Sequence, residues 1–415
     1  MDDALKSHPA PAPGGRSPGG GAAAASSGKP LAGLRTSIVA DDAGFAALRR
    51  RWDALLAQAV DANTFLGFEW LHSWWVSYQV PAELRLVLAE DGDQLVGIAP
   101  MMLRTVRRYG KAFRVLLFVG DGTWETDHMN LILRRDRRAE ALAALLATLE
   151  TLAWDAVHFN QVPESSETAR DLLTWAKSKG MAVDVVRTPC PKRNIPESYD
   201  ALLATLQSRF RTSLRSSRRK LGQKYRLEFG LHENPAEFPE ALEALFRNHA
   251  SRWKAKGQGG VFTDPRKRAF YDMLVRELHG KGALRFYYLK LDGAIKAQEF
   301  CFAHGRVVYL LQEGFDYDHA AENIGNTLRG MVLERLIAEK AEAYDFLAGT
   351  SRHKSLWGDA FPNDMRIEAA RPTLKGRLYF HVPKRIEALK EAVKKAIRKA
   401  PAAAPSAAGA NPDSP

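Results

Sequence analysis

The sequence has few cysteines and no long apolar run. Only two of its 415 residues are cysteine, Cys190 and Cys301, and their spacing matches no metal-ligand motif. This scarcity is typical of a reducing compartment, and neither thiol needs a functional role. No apolar run approaches the roughly eighteen residues that span a bilayer, and the N-terminus lacks the apolar core of a secretory signal. We therefore expect a cytoplasmic protein without a membrane-spanning helix and without a metal centre.

Both ends of the chain have low-complexity composition. Residues 1–33 and 400–415 consist largely of alanine, proline, glycine and serine. Such segments offer little apolar surface to bury, so they are predicted to be disordered tails. The whole chain is 46% hydrophobic and 26% charged, which is ordinary for a globular protein, and it is long enough for two domains.

A hairpin pattern occurs twice in the chain. Asp91-Gly92 and Asp292-Gly293 each separate two apolar runs, and the second copy follows the first by about two hundred residues. An Asp-Gly pair in this setting favours a hairpin, because a type I′ turn needs positive φ at both central residues. After each hairpin the sequence predicts another strand, a helix and an aspartate-bearing strand. A repeat of this length predicts two homologous domains.

The repeat divides the chain into two α/β domains, residues 34–188 and 189–380. Each is predicted to contain a mixed, mostly antiparallel, twisted sheet flanked by helices. The Pro-rich stretch 188–196 is typical of a linker. A final basic helix is predicted over residues 381–399, where seven basic residues stand against two glutamates. This helix suits either peripheral binding to the inner membrane face or docking on the protein itself.

A glycine precedes a predicted helix in the second domain. The strand Arg306–Gly314 leads through Glu322 and Gly325 into a helix. Backbone N–H groups at a helix N-terminus can bind an anion, and the macrodipole favours phosphate there. The same residues also fit a simple helix cap at Asn323 or Asn326. The Walker lysine is missing from this segment, which argues against a nucleoside triphosphate.

Titratable side chains lie at the ends of several predicted strands. Asp127 and His128 precede a strand, where Asp127 would either orient His128 or act as a base. His353 follows the last predicted strand and has a side chain that titrates near neutrality, which suits a general base. Tyr309 and Asp316 flank the strand that leads to the glycine and are candidates for an acid or a base. A turn or loop position also explains Asp127, His128 and His353, and core packing or a loop position explains Tyr309 and Asp316 equally well.

The order of hairpin, strand, glycine-containing loop, helix and strand resembles the GNAT superfamily. Within it, the chain resembles the tandem-GNAT group called BioF2-like or CelD-like, which is related to the Fem peptidoglycan aminoacyltransferases. The resemblance covers residues 36–365, and four stretches carry it best: Phe65–Tyr78, Leu95–Arg104, Ser208–Leu221 and Tyr309–Trp357. It implies acetyl-CoA or another acyl-CoA as the donor, with the pyrophosphate on the following residues: Ile324, Gly325, Asn326, Thr327 and Leu328.

The resemblance also implies roles for three further residues. Lys354 would bind substrate or cofactor phosphate beside the cleft, Gln298 would face the cleft and bind the acceptor, and Asp127 would lie where the two domains meet. The implied reaction is direct acyl transfer, without a covalent enzyme intermediate, to an amine or a sugar of a cell-envelope or exopolysaccharide precursor. The acceptor would be a small molecule or a glycan.

Charge and family leave two alternatives open. The net charge of +12 favours polyanionic partners, and eight cations lie between Arg209 and Arg226 without a carboxylate. Because Fem relatives use charged tRNA, an aminoacyl-tRNA donor is one alternative, and tRNA is the only nucleic acid that we expect as a partner. The other alternative is a non-catalytic accessory protein of polysaccharide synthesis.

Overall fold

A computed structural model describes residues 33–254 and 261–383 of the chain. The predicted tails, except for Gly33, and residues 384–399 of the predicted basic helix lie outside the described residues. We refer to residues 33–188 as the first half and to residues 189–383 as the second half. In the described ranges, no helix is both long enough and apolar enough to cross a membrane.

The first half contains seven strands and five α-helices within the described residues. The strands are β1 (Arg35–Val39), β2 (Ala82–Asp91), β3 (Gln94–Arg108), β4 (Lys111–Phe118), β5 (Ile132–Leu133), β6 (Ala156–Pro163) and β7 (Ala182–Pro189). The helices are α1 (Asp42–Ala47), α2 (Arg49–Leu56), α3 (Phe68–Tyr78), α4 (Arg138–Thr151) and α5 (Glu167–Ser178).

The second half has the same mixture of elements. Its strands are β8 (Lys192–Asn194), β9 (Leu227–Leu231), β10 (Leu284–Leu291), β11 (Ala294–His304), β12 (Val307–Phe315), β13 (Ala343–Asp345) and β14 (Asn363–Ala370). Its helices are α6 (Tyr199–Thr205), α7 (Ser208–Lys224), α8 (Phe238–Lys254), α9 (Pro265–Gly280), α10 (Ile324–Ala338) and α11 (Arg352–Trp357).

The first sheet includes a strand from the end of the chain. Its strand order is β1-β2-β3-β4-β6-β14-β7, and β5 pairs with β3. β14 is antiparallel to both of its neighbours, β6 and β7. The boundary predicted at residues 188 and 189 therefore does not separate the two sheets cleanly, because β14 returns from the second half to complete the first sheet.

The second sheet opens at its centre. Its order is β8-β13-β12-β11-β10-β9, so the predicted linker in fact supplies an edge strand, β8. The parallel strands β12 and β13 pair only from Val307 to Tyr309, and β13 ends at Asp345. A register shift against β11 makes Leu311 an extra residue in β12, a β-bulge that bends the strand. Beyond Tyr309 the edge of β12 therefore has no partner in β13, which leaves a gap in the pairing of these two strands.

The two predicted hairpins are confirmed, although their turns differ. β2–β3 and β10–β11 are antiparallel pairs joined by two-residue loops. In the second loop both Asp292 (φ 50°) and Gly293 (φ 84°) are left-handed, as a type I′ turn requires. In the first loop, Gly92-Asp93, only Gly92 has a positive φ (58°).

The halves share a hydrophobic core. The aromatic helix α3 packs against α9, and Trp70 contacts Phe270 and Phe302 of the second half at ring-centroid distances of 5.6 and 5.1 Å. Salt bridges such as Arg49–Glu277 and Lys281–Asp53 cross the same boundary. Because large buried rings carry much of the burial energy, this interface holds the halves in a fixed relation.

Candidate active site

A strained loop of the first half, residues 119–128, meets the second half. Four of its residues have left-handed backbones: Gly120 (φ 105°), Gly122 (φ 96°), Trp124 (φ 69°) and His128 (φ 48°). A Cβ on Gly120 would lie 3.0 Å from the Thr126 side chain, so only glycine fits there. Non-glycine residues with positive φ cost energy and are concentrated at functional sites.

His128 links this loop to two strands of the second half, β13 and β14. Its backbone N–H and its Nδ1 both reach the Asp364 carboxylate, at 3.1 and 2.9 Å. Its Nε2 lies 3.4 Å from Oδ2 of Asp345. Burial alone would lower the pKa of His128, but the two carboxylates outweigh burial and hold that pKa well above its usual value. The two carboxylates therefore favour the imidazolium form of this side chain.

Asp345 also shapes a turn that holds Lys354. Its Oδ1 accepts the Leu347 N–H at 2.7 Å, and Leu347 adopts a left-handed φ of 60°. The Lys354 ammonium, on α11, donates to the Leu347 and Ala348 carbonyls at 3.1 and 2.7 Å. An ammonium has three N–H donors, so one more remains available for a ligand.

Asp127 lies on the other side of the same turn. One of its oxygens accepts the Ala348 N–H at 3.3 Å, and the other accepts the Gln161 amide. Burial raises the pKa of Asp127 and lowers that of Lys354, although each charge offsets part of the effect on the other. Both pKa values therefore move toward neutrality, as expected for groups that exchange protons or stabilise charge in a reaction.

Tyr309 lies at the same junction. Its ring stacks on Phe302 at 5.3 Å and contacts Phe65 and His128 of the first half, each at 6.0 Å between ring centroids. Burial, and next to it the charge of Asp345, raises the pKa of the Tyr309 phenol. The structure thus brings together four residues predicted from the sequence, Asp127, His128, Tyr309 and Lys354.

The predicted donor loop has the features of an anion site. α10 begins after Asn323, which is left-handed (φ 61°) and whose side chain caps no backbone N–H. The first N–H groups of a helix have no partner within the helix, so they are available to an anion. A Cβ on Gly325 would lie 3.1 Å from the Phe315 ring, so glycine lets α10 approach the end of β12.

The other residues of this loop lie within the α10 N-terminus. Asn326 accepts the Trp357 indole N–H at 2.9 Å, and Thr327 donates its hydroxyl to the Asn323 carbonyl at 3.2 Å. Ile324 and Leu328 are buried in the core. These contacts fix the helix start and tie it to α11, the helix that carries Lys354.

A buried charge network fastens α10 to the sheet, and the sequence did not reveal it. Arg329, only 2% exposed, bonds to Glu299 at 3.0 Å and to Glu313. Glu299 in turn accepts the Tyr344 hydroxyl at 2.6 Å, and His353 lies 3.3 Å from Glu313. His353 therefore borders the network on the α11 side.

Two predicted site residues are placed elsewhere by the structure. Gln298 is fully buried, where its amide donates to the Ala241 carbonyl of α8 at 2.9 Å, so it does not face an open cleft. Neighbouring strand residues face opposite sides, and here it is Glu299 that points toward α10. Asp316 caps the turn at Asp318 and pairs with Lys296 at 2.8 Å. Both residues were predicted because they lie on or beside the strands next to the proposed donor loop. Such a position does not determine where a side chain points.

One group of side chains has the composition of a metal site. Ligand atoms of His128, Cys190 and Asp364 all lie within 4.8 Å of one another. Burial raises the pKa of the Cys190 thiol, and His128 already donates to Asp364, so a cation would have to displace both protons. These residues are better explained by the hydrogen bonds that they make.

Comparisons with known proteins find one matching family model and solved structures with a similar fold. Residues 208–355 match the family described as acetyltransferase (GNAT) domain, a span that includes β12, α10, β13 and Lys354. The crystal structure of FemX overlays with a TM-score of 0.56 at 13% identity, covering 80% of this chain and 98% of that one. A conserved protein of unknown function from Bacteroides thetaiotaomicron VPI-5482 overlays with a TM-score of 0.51 at 15% identity, covering 80% and 99%. No curated protein sequence matches the chain.

Proposed function

Because residues 208–355 form a GNAT acetyltransferase domain within a fold like that of FemX, we propose that the protein is an acyltransferase. It transfers an acyl group from acyl-CoA directly to an amine or hydroxyl acceptor, a small molecule or glycan of the cell envelope or an exopolysaccharide. The observation that carries the proposal is the Lys354 ammonium, held by two carbonyls beside Asp127 where the halves meet. Our proposal places the reaction in the cytoplasm.

The gap between β12 and β13 would receive the donor. The N–H groups at the start of α10 suit the pyrophosphate, and Gly325 keeps that helix close to β12. The neighbouring Glu322 would repel phosphate, but Lys224 and His319 each bond to it at 2.7 Å and neutralise it. The acyl thioester would then lie along the open edge of β12 near the bulge at Leu311.

Lys354 would stabilise the oxyanion. The acceptor nitrogen or oxygen attacks the thioester carbonyl carbon, and the carbonyl oxygen gains negative charge. The third N–H of the Lys354 ammonium can donate to that oxygen in a water-poor site, where such a donor contributes most. Collapse of the intermediate breaks the carbon–sulfur bond and releases CoA thiolate.

Asp127 would remove the proton from the acceptor. Its raised pKa makes it a stronger base than an exposed carboxylate. The proton can pass from Asp127 to the leaving thiolate, which balances the reaction. Because the two carboxylates raise the pKa of His128 and favour its protonated form, we assign it the role of holding Asp345 and Asp364 in place. Tyr309, with a raised pKa, and His353 remain candidates for the acid that serves the thiolate.

Calorimetric titration with acetyl-CoA and longer acyl-CoAs tests the donor. Gly325→Trp places a side chain against Phe315 and the helix start, so it should abolish binding. Gly280→Ala, at the end of α9, is a control for a glycine substitution with open space around it and no positive φ. Micromolar binding by the parent and the control, but not by Gly325→Trp, supports the proposal, and lack of binding to every acyl-CoA contradicts it.

The surface of α7 favours one alternative donor, an aminoacyl-tRNA. Arg209, Arg219 and Lys220 are exposed on this helix. A cavity of about 370 Å³ opens beside it, with this lining: Tyr199, Asp200, Leu203, Leu214, Arg215, Arg218 and Arg219. Clustered arginines of this kind bind phosphate backbones. Salt-dependent binding of tRNA, together with no response to any acyl-CoA, would select this alternative.

A further inference from the structure

Trp124 exposes an indole at an energetically costly position. Trp124 is 73% exposed, and its backbone φ is 69°. Large aromatic side chains normally bury most of their surface, and bulky residues rarely adopt the left-handed conformation. Neither feature benefits the fold, because an indole that remains in water contributes little burial energy.

The loop around Trp124 is held firmly on both sides. Thr123 accepts the Trp74 indole N–H at 2.7 Å, and Thr126 accepts the Trp70 indole N–H at 3.1 Å. Glu125 is buried and forms an ion pair with Lys267 of α9. The exposure of Trp124 is therefore fixed by its neighbours and does not result from a loose loop.

Trp124 lies close in sequence to the proposed base, Asp127, in a loop that carries carboxylates. Asp127 lies three positions further along the chain, so the two Cα atoms lie within about 11 Å even for an extended chain. Asp121 and Asp127 contribute carboxylates to the same loop, whereas Glu125 is buried against Lys267. Carboxylates accept hydrogen bonds from hydroxyl and ammonium groups and repel anions. A flat ring with hydroxyl or ammonium substituents fits this combination.

We propose that Trp124 is the platform on which the acceptor ring stacks, and that the acceptor is a hexose or a hexosamine. This inference rests on the proposed acyl transfer and names its acceptor class. The C–H face of the sugar ring would cover the indole, while its hydroxyl or amino group would point toward Asp127. Trp124 would then act on binding of the acceptor and not on the chemical step.

Tryptophan emission measured during titration with glucose, glucosamine and N-acetylglucosamine tests the inference, with no acyl-CoA present. We expect at least one sugar to shift the emission of the parent protein and to protect it from acrylamide quenching. Trp124→Ala should lose this response. In the transfer reaction, that variant should raise KM for the acceptor roughly tenfold with kcat little changed.

Two variants separate binding from folding. Tyr109→Ala removes another exposed aromatic residue with a left-handed backbone (51% exposed, φ 52°), and it should keep the sugar response. Trp124→Gly should lose the response while its Tm stays equal or rises, because glycine relieves the backbone strain. A structural role would instead lower the Tm.

The outcomes of the sugar titration can be distinguished from those of the acyl-CoA titration. If no sugar alters the emission, or if the response persists in Trp124→Ala, the inference fails even when acyl-CoA binds. If Trp124→Ala abolishes self-association of the protein and nothing else, the indole serves a contact between copies, and the inference also fails. A sugar response without acyl-CoA binding would support the platform and contradict the proposed donor.

Discussion

Asp127 is enclosed between Gln161 of the first half and the Ala348 peptide of the second, and burial raises its pKa. If it is the base, activity should rise as pH increases through that raised pKa. Asp127→Asn keeps the shape and should lower kcat about a hundredfold or more. It should also remove the acidic limb from the pH profile of kcat/KM. An unchanged profile in this variant would show that another group takes the proton.

His128 should make the free energy of unfolding depend on pH. Asp364 and Asp345 raise its pKa in the folded state, so the folded protein binds this proton more tightly than the unfolded chain. Its contribution to the free energy of unfolding is fully present below the unfolded pKa of about 6.5 and is lost as pH rises through the folded pKa.

Urea unfolding of the parent and of His128→Gln over a pH series measures this contribution. The stability difference between them should be largest below about pH 6.5 and should shrink toward alkaline pH. The His128 charge also lowers the pKa of Asp127, so the difference reports the imidazole together with the carboxylates that face it. A difference that grows with pH would mean that the imidazole is neutral in the folded protein.

The sequence predicted some residues of this site and missed their partners. Asp127, His128, Tyr309 and Lys354 stood out because their side chains carry chemistry at the ends of predicted strands. Asp364 and Asp345 did not, since pairing them with His128 requires knowing that strands from both halves end at one place. Gln298 and Asp316 were selected by position, yet side-chain direction and local capping decide their contacts.

At the scale of elements, Arg329 determines how α10 is fastened. It balances two carboxylates in the interior, Glu299 and Glu313, which lie on neighbouring strands of the same sheet. Arg329→Met would remove the cation that balances the buried Glu299 carboxylate and should cost about 3–5 kcal/mol of stability. It should also weaken acyl-CoA binding, because α10 carries the proposed phosphate site.

Arg335→Met is the matched control on the same helix. Its partner Glu339 is four residues away, and both side chains are more than a third exposed, so the loss should stay within about 0.5 kcal/mol. Thermal and urea unfolding of the two variants give the comparison. Equal small losses would show that the interior network tolerates an unpaired carboxylate.

Elements with strong local signals were predictable and short ones were not. The Asp-Gly pairs located both hairpins, and the order of strand, glycine-containing loop and helix located α10. β8, with three residues, looked like part of a Pro-rich linker, and its pairing with β13 depends on contacts distant in sequence. β14 alternates buried and half-buried residues over part of its length, but its partners β6 and β7 lie about two hundred residues earlier.

At the scale of the whole molecule, β14 makes the first half depend on the second. β7 has β14 as its neighbour in the sheet order, so a fragment without β14 leaves β7 unpaired and the edge of β6 open. We expect residues 33–196 alone to unfold without cooperativity. The same fragment with residues 363–372 attached through a flexible linker should regain a cooperative urea transition. Cooperative unfolding of the shorter fragment would show that the first half folds independently.

Acyl transfer at the junction of the halves is tested most directly by the rate of CoA release in Lys354→Met. The assay uses acetyl-CoA and the acyl-CoAs that bind, first with water as acceptor and then with hexosamines, and Lys111→Met, at an exposed turn, serves as the control. Loss of one oxyanion donor predicts a kcat about a hundred- to a thousandfold lower in Lys354→Met, with donor binding by calorimetry unchanged. A kcat within about twofold of both the parent and the control would contradict the proposed role of Lys354 and the location of the active site.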